Sequence, residues 1–358
     1  MKSQSRSLSR IRSAKHNPRH KLTLAMVSIL VFSSSAFADW VGDARPMMGT
    51  EVSVLFWHDD PVAGELLVEQ VFDEAHRIDQ LMSTYIEESR ISDINRRAAD
   101  EPVPAGGELF DLIRRSLDIS VLTLGAFDVT YESVGQHYNF RNRERPDDET
   151  IAEERKLISW KFVELDQAAG TVSFSEQGVR INLGGIAKGY VVERGIDMLR
   201  THGVENGIVT AGGDSRLLGD RRGRPWMVGI RDPRKDGRVA ISVPLEGEAI
   251  STSGDYERYF EADGVRYHHI IQPSSGLPVE GVRSATVFGP DAVMTDALST
   301  SVFVMGVDEG LKLIGCLPEY ESIVIDAESQ IYYSTGLEDP QGGDEGTDGD
   351  LASAPGSC

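Results

Sequence analysis

Cysteine is nearly absent. Cys316 and Cys358 are the only two in 358 residues, and the second ends the chain, so neither a disulfide framework nor a cysteine-based metal site is expected. Positive charge is also short: 36 Lys and Arg stand against 57 Asp and Glu, a formal charge of −21. The deficit is uneven. The first 38 residues hold seven basic side chains (Lys2, Arg6, Arg10, Arg12, Lys15, Arg19 and Lys21) and no acid, so removing them takes the charge from −21 to −28. A body so acidic argues against a nucleic-acid partner, which is gripped through Lys and Arg on phosphates. A phosphorylated ligand must then be held by a local device: a helix terminus, a placed lysine or a bound cation. Internal repeats are missing. No Lys-Ser/Thr follows a Gly-x-x-x-x-Gly frame, so there is no Walker A loop.

What is present begins with a secretory signal over residues 1–38. Its n-region is long and basic. Its apolar core, residues 22–32, spans roughly half of what a bilayer-crossing helix needs. Ala36-Phe37-Ala38 is a small-x-small cleavage site before Asp39. No Arg-Arg pair indicates the twin-arginine route, and no cysteine follows the apolar core to carry a lipid. The expectation is an exported, periplasmic protein, soluble after cleavage; an uncleaved anchor is the alternative. The folded body is expected over residues 39–336. Residues 337–358, rich in Gly, Asp, Glu, Ser and Pro, are expected to be a disordered acidic tail.

The stretch Ile181-Asn182-Leu183-Gly184-Gly185-Ile186-Ala187-Lys188-Gly189-Tyr190 organises the body. An alternating strand (Val179, Ile181, Leu183) breaks at two glycines and restarts as an amphipathic helix. The free N–H groups of such a helix terminus suit a phosphate, and Lys188 adds a full charge. A tight turn with a solvated lysine is the bland alternative. Before it, Val52 to Phe56 alternate as a strand. Asp60-Pro61 opens a helix with its apolar stripe at Leu67, Val71, Ala75, Ile78, Leu81 and Met82. Ser83-Thr84-Tyr85 follows; Tyr85 can pack or can stack on a planar ligand. Residues 109–122 read as a helix ending at Gly125, residues 139–154 as a polar surface excursion, and residues 172–181 as a hairpin.

Downstream come strands at 207–209, 226–230, 239–245 and 249–253, a hairpin turning at Ala262-Asp263-Gly264, and a strand at 284–288. Residues 291–305 read as a helix on which Asp296 and Thr300 share a face, with Ser299 beside them. A carboxylate and hydroxyls converging there suit a hard cation; an internal Asp–Thr hydrogen bond is the alternative. A short helix over 308–317 and a hairpin over 322–333 close the body. Strands joined with and without helical crossovers indicate α+β, mixed sheets with flanking helices.

Nine stretches in this order resemble the ApbE family of FAD:protein FMN transferases: MGT, STY with S-x-I-x-x-I-N, AFDVT, NLGGIAKGY, AGGD, WMVGIRDP, ISTSGDYERYF, RYHHII-x-P-x-x-G-x-P and DALSTSVFVMG. The resemblance runs from about residue 46 to residue 335. It implies a T-fold-related architecture. It implies FAD as substrate, Mg2+ as the metal, and transfer of FMN through its phosphate to a Thr or Ser hydroxyl of an acceptor protein, such as a membrane electron-transfer subunit, with release of AMP. Carried over by position, Met48, Tyr85, Ala126, Phe127, Asp128, Asn182, Lys188 and Ile271 match flavin-contacting residues. Gly185 (through its carbonyl), Asp296 and Thr300 match the metal site, with Ser299 adjacent. His269 matches a histidine near the reacting phosphate, a base toward the acceptor hydroxyl. Many relatives carry Asp where this chain has Asn182 and Gln272, which removes two carboxylates. Asn182 also resembles a NosX-like subset associated with nitrous-oxide reduction, which would narrow the acceptor. Two further readings of the same site are a FAD pyrophosphatase giving FMN and AMP, and a non-catalytic FAD carrier.

Overall fold

Eight strands build the central sheet of the computed structural model: β1 Asp39–Met47, β2 Thr50–His58, β3 Gly207–Ala211, β4 Asp214–Leu218, β5 Ala249–Gly254, β6 Val282–Gly289, β7 Glu321–Asp326 and β8 Ile331–Tyr333. They lie across the sheet in chain order, and every neighbouring pair is antiparallel. The architecture is therefore α+β, a sequential antiparallel sheet with the helices inserted between neighbouring strands. The structure describes residues 39–337 apart from Asp236 and Asp263. The leader over 1–38, the tail beyond 337 and Cys358 lie outside the described residues. Leu337, assigned to the tail from sequence, packs against the core, so the ordered body reaches one residue further than expected.

The side-chain period of two sends alternate residues to opposite sheet faces. Val52, Val54, Phe56, Val209, Ala211 and Ala249 face the helices. Leu55, Ile208, Leu217, Ile250, Phe288 and Ile323 face a hairpin, Trp226–Arg231 with Val239–Leu245, that covers the other side. The helical layer holds α1 Pro61–Met82, α2 Arg90–Arg97, α3 Gly107–Leu122, α4 Ala187–Thr201, α5 Ala292–Met305 and α6 Val307–Gly315. Asp60 caps α1 by accepting from Val62 N at 3.0 Å, with Pro61 in the first turn. Asp291 caps α5 by accepting from Met294 N at 2.9 Å. Helix α5 is buried on nearly all sides, so its polar side chains must find partners inside the protein.

Two local expectations are corrected. Strand Thr171–Phe174 pairs with Val163–Asp166 and Val103–Pro104, not with residues 179–181. The alternating stretch is buried as expected at Val179, Ile181 and Leu183, but it joins no sheet. The Asn95 side chain stands in for a strand: its Nδ2 donates to Ile181 O at 2.9 Å and its Oδ1 accepts from Ile181 N at 2.8 Å. Asn182 N donates to Val129 O at 2.9 Å. The polar excursion carries a bridge between Asn139 and Glu144 and a helix at Asp148–Glu154.

Candidate active site

A cleft of about 1090 Å³ opens above the ends of the central strands, where α4 and α5 meet. Its floor is set by how close those two helices come. At Gly189 a Cβ would stand 2.1 Å from Ala292 O and 2.8 Å from Asp296 Cβ, so only glycine admits the contact. The approach lets the Asp296 carboxylate cap α4 from outside: its Oδ2 accepts from Gly189 N at 2.9 Å. Lys188 Nζ lies 3.2 Å from Asp296 Oδ1 and 2.7 Å from Asp214 Oδ2. Neither the α4 terminus nor Lys188 is therefore free, as the sequence reading had them. Each already meets a carboxylate.

Asp214 follows the Gly212-Gly213 turn between β3 and β4 and is 1% exposed. Burial raises its pKa to about 7; Asp296 adds to the rise and Lys188 opposes it. Burial works against the Lys188 charge, yet Asp214 and Asp296 together outweigh it and hold the ammonium above its ordinary value.

Around this triad the oxygen atoms converge. A Cβ on Gly185 would lie 3.4 Å from Thr300 Oγ1. Ser253 Oγ is 3.1 Å from Thr300 Oγ1 and 2.9 Å from Ser299 Oγ. Ser299 is further committed, since its hydroxyl donates to Asp296 O at 2.9 Å. Asp296 bonds neither Thr300 nor Ser299 through its carboxylate, so the internal Asp–Thr alternative does not hold. Among the described residues no three His, Cys, Asp or Glu side chains gather as a metal site. Asp296 and Thr300 both line the cleft, as does Gly185, and a carboxylate beside a hydroxyl is donor chemistry that suits a small hard cation taking its remaining ligands from water and substrate phosphates.

His269 stands in the same cleft. Its backbone N–H donates to Arg258 O at 3.1 Å, and its Nδ1 is buried without a hydrogen-bond partner. Burial, then the positive neighbours Arg258, His268 and Lys188, push its pKa down to about 3. The ring is neutral at pH 7, and its Nδ1 faces no hydrogen-bond partner.

The planar-ligand wall is built from several elements. Met48 and Gly49 form the two-residue turn joining β1 to β2; both have positive φ, 53° and 71°. This fits the mirror-type hairpin turn, and Met48 holds the strained conformation at the cleft. Tyr85 is 83% exposed on the cleft lip, so it does not pack into the core. Phe127 is buried beneath Gly185, 3.2 Å from where a Cβ would stand. Ala126 and Ile271 line the cleft.

Two of the expected flavin-contacting side chains are committed to the protein. Asp128 accepts from Thr130 N at 2.9 Å and from Trp160 N at 2.8 Å, leaving mainly its backbone to the cleft. Asn182 Oδ1 accepts from Gly184 N at 2.8 Å, and its Nδ2 donates to Thr84 Oγ1 at 3.1 Å and Glu132 Oε2 at 2.9 Å. Glu132 was not foreseen. It is buried on the cleft wall, and burial raises its pKa to about 7 against the pull of Asn182 and Arg180. A carboxylate is thus present beside position 182, on a different residue. Gln272 closes the turn to Leu277, accepting from Gly276 N at 2.8 Å, and is not part of the cleft wall. Asp214, Glu132, Ser253 and Arg258 were missed from sequence. Asp214 had a signal in the AGGD turn, and Ser253 and Arg258 in ISTSGDYERYF; Glu132 lies in none of the motifs.

The sequence pattern of the ApbE family matches residues 48–324. A FAD:protein FMN transferase from Vibrio cholerae serotype O1 is 32% identical over 297 residues, covering 80% of this chain and 88% of its own length. One from Klebsiella pneumoniae is 31% identical over 294 residues, covering 81% and 90%. Among solved structures, the ApbE protein of Thermotoga maritima superposes with a TM-score of 0.77 at 35% identity, covering 83% of this chain and 98% of that one. The flavin transferase ApbE of Vibrio cholerae gives 0.73 at 29%, with the same coverage.

Proposed function

The chain belongs to the ApbE family, and from that premise we propose that it transfers FMN from FAD to a Thr or Ser hydroxyl of an exported or membrane acceptor protein, releasing AMP with the help of a divalent cation. The observation that carries this is the meeting of Lys188, Asp214, Asp296, Thr300 and His269 at the floor of one cleft whose lip bears Met48 and Tyr85.

In this reading the acceptor oxygen attacks the FMN phosphorus. The new P–O bond forms as the pyrophosphate bond to AMP breaks, and the hydroxyl proton passes to the His269 imidazole. The proton goes to a neutral ring, and the arriving phosphates, being anionic, raise that ring's basicity. Lys188 holds the phosphates by charge. Met48, Tyr85 and Phe127 orient the isoalloxazine and exclude water from it. Asp296, Thr300 and the Gly185 carbonyl would hold a magnesium ion, which would supply charge stabilisation on the phosphoryl oxygens. Residues 1–38 act as a cleaved signal peptide, and residues 39–336 as the transferase domain. Among the described residues no helix is long and apolar enough to cross a membrane.

The test is to incubate the mature protein with FAD and magnesium, with and without a threonine-bearing acceptor, and to follow AMP and intact mass. AMP with an FMN-sized mass on the acceptor supports the transfer. AMP with free FMN and no labelled acceptor indicates hydrolysis. Bound FAD with no AMP indicates a carrier.

A further inference from the structure

One strongly charged feature of the cleft is not used by this reaction. The polar excursion folds back on itself through the Asn139–Glu144 bridge, and Asn142 N donates to Asn139 Oδ1 at 3.0 Å. Arg141 and Arg143 stand at the tip, both exposed, and Arg143 holds a positive φ of 59°. The turn is pinned by an aromatic stack. Tyr138 lies parallel to Phe140 at 5.9 Å, Phe140 meets Phe260 at 6.1 Å, and Phe260 stacks on Tyr267 at 5.2 Å. Phe260 and Tyr267 belong to the hairpin Tyr259–Ala262 with Val265–His268, which runs directly into His269. The turn and the histidine are thus fixed to one another, and Phe140 and Arg141 line the same cleft.

We propose that Arg141 and Arg143 form a docking surface for an acidic segment of the flavin-acceptor protein, an inference that rests on the transferase reading. Their charge is uncommitted. Among the described residues neither guanidinium has an ion pair, a hydrogen bond or a ring contact. The nearby acids are engaged elsewhere: Asp148 with Arg145, Asp147 with Thr150 N at 2.7 Å, and Glu257 with Arg231 at 3.4 Å. Glu144 is exposed and pairs with neither arginine. Among the described residues most other arginines pair with a carboxylate, Arg77, Arg97 and Arg234 among them. Arg141 on the cleft wall and Arg143 two residues further on are free cations on a chain whose charge is −28 once the seven basic residues of 1–38 are set aside from the total of −21. The acidic body disfavours an acidic partner in general, and unpaired cations beside the cleft offset that repulsion where transfer takes place. This selects the face of approach and the acidic character of the segment beside the target hydroxyl.

The experiment uses the FAD-loaded mature protein and two peptides, each a threonine flanked on both sides by aspartates or, in the control, by asparagines. Binding is read by fluorescence anisotropy and transfer by mass. Arg141→Ser/Arg143→Ser should bind the aspartate peptide about tenfold more weakly than wild type, the size expected when two exposed ion pairs are lost. Its affinity for the asparagine peptide and for FAD should not change. The wild-type preference for aspartate should shrink when salt is raised to about 0.5 M. Arg141→Glu/Arg143→Glu should prefer a lysine-flanked peptide. Equal binding of the aspartate peptide by wild type and variant overturns the docking surface. A parallel loss of FAD affinity also overturns it, because the arginines would then hold the nucleotide. If the variant loses the aspartate preference in binding while wild type labels neither peptide, the docking surface stands and the transferase reading fails.

Discussion

Glu132→Gln should stabilise the protein in alkaline solution and do little in acid. Glu132 is 8% exposed, and its carboxyl titrates near 7 in place of its ordinary 4.5. Burial is the main cause. Below pH 4.5 the group is protonated in both the folded and the unfolded chain and costs nothing. Between 4.5 and 7 the unfolded chain releases the proton while the folded chain keeps it, so stability falls as pH rises. Above 7 both are ionised, and the folded state bears the full penalty. At about 1.4 kcal/mol per pH unit this amounts to ~3 kcal/mol at pH 8.5 and about 1 kcal/mol at pH 5. A glutamine keeps an oxygen that accepts from Asn182 Nδ2, so the bond now 2.9 Å long survives without the charge. The assay is urea unfolding of wild type and variant at both pH values, reading midpoint shifts at constant slope. Asp214 also titrates high, but it is common to both proteins and cancels. A gain equal at the two pH values, or a loss at pH 8.5, would refute the reasoning. It would mean that the ionised carboxylate is solvated, or is held by Arg180 more firmly than burial opposes it.

Asp296→Ala should cut cation-dependent AMP release by a hundredfold or more, about the cost of losing a main charge-stabilising group, while circular dichroism shows the fold retained; full activity would remove Asp296 from the cation site. His269→Ala should slow transfer by about 10² to 10⁴ with FAD affinity, measured by flavin fluorescence, nearly unchanged; equal loss of both would make His269 a binding residue. Gly189→Ala should lower the melting temperature sharply or prevent folding, since its Cβ would meet Ala292 O at 2.1 Å and overpacking costs about 1–3 kcal/mol or more; an unchanged melting temperature would show that α4 and α5 separate freely.

Much of the helical layer was legible because its signals are local. Asp60-Pro61 and Asp291 mark helix starts by chemistry that acts within three residues, and the apolar stripe of α1 repeats at helical spacing. Lys188, Asp296 and Thr300 could be nominated because each sits in a motif of its own helix. What the sequence hid depends on distant partners. The alternation at Val179, Ile181 and Leu183 reads as a strand, yet its backbone groups are satisfied by Asn95, 86 residues earlier. Burial period alone does not say whether a ladder or a side chain supplies the hydrogen bonds. Glu132 carries no local signal. Its role follows from facing Asn182 across 50 residues, and a neutral Asn there is intelligible once a carboxylate is known to stand beside it. An acceptor-only Asp at 182 would put two carboxylates in contact.

In the proposed reaction the charge at the floor of the cleft gives a lysine and a cation separate tasks. Asp296 and Asp214, the latter titrating near 7, bring up to two negative charges to one point, and Lys188, 2.7 Å from Asp214 and 3.2 Å from Asp296, brings a single positive charge. A pyrophosphate arriving at such a point meets no net attraction, and the acidic body adds repulsion. A divalent cation reverses the local sign, and it does so where Coulomb interactions are strong because the carboxylates are almost fully buried. The same argument accounts for the two buried acids. Without them nothing would hold the cation against a substrate that also binds it. Without Lys188 their mutual repulsion would be relieved by protonation of Asp214, whose pKa is already raised to about 7. In the proposed reaction substrate, cation and lysine would then depend on one another, because removing any one would leave an uncompensated charge beside almost fully buried carboxylates.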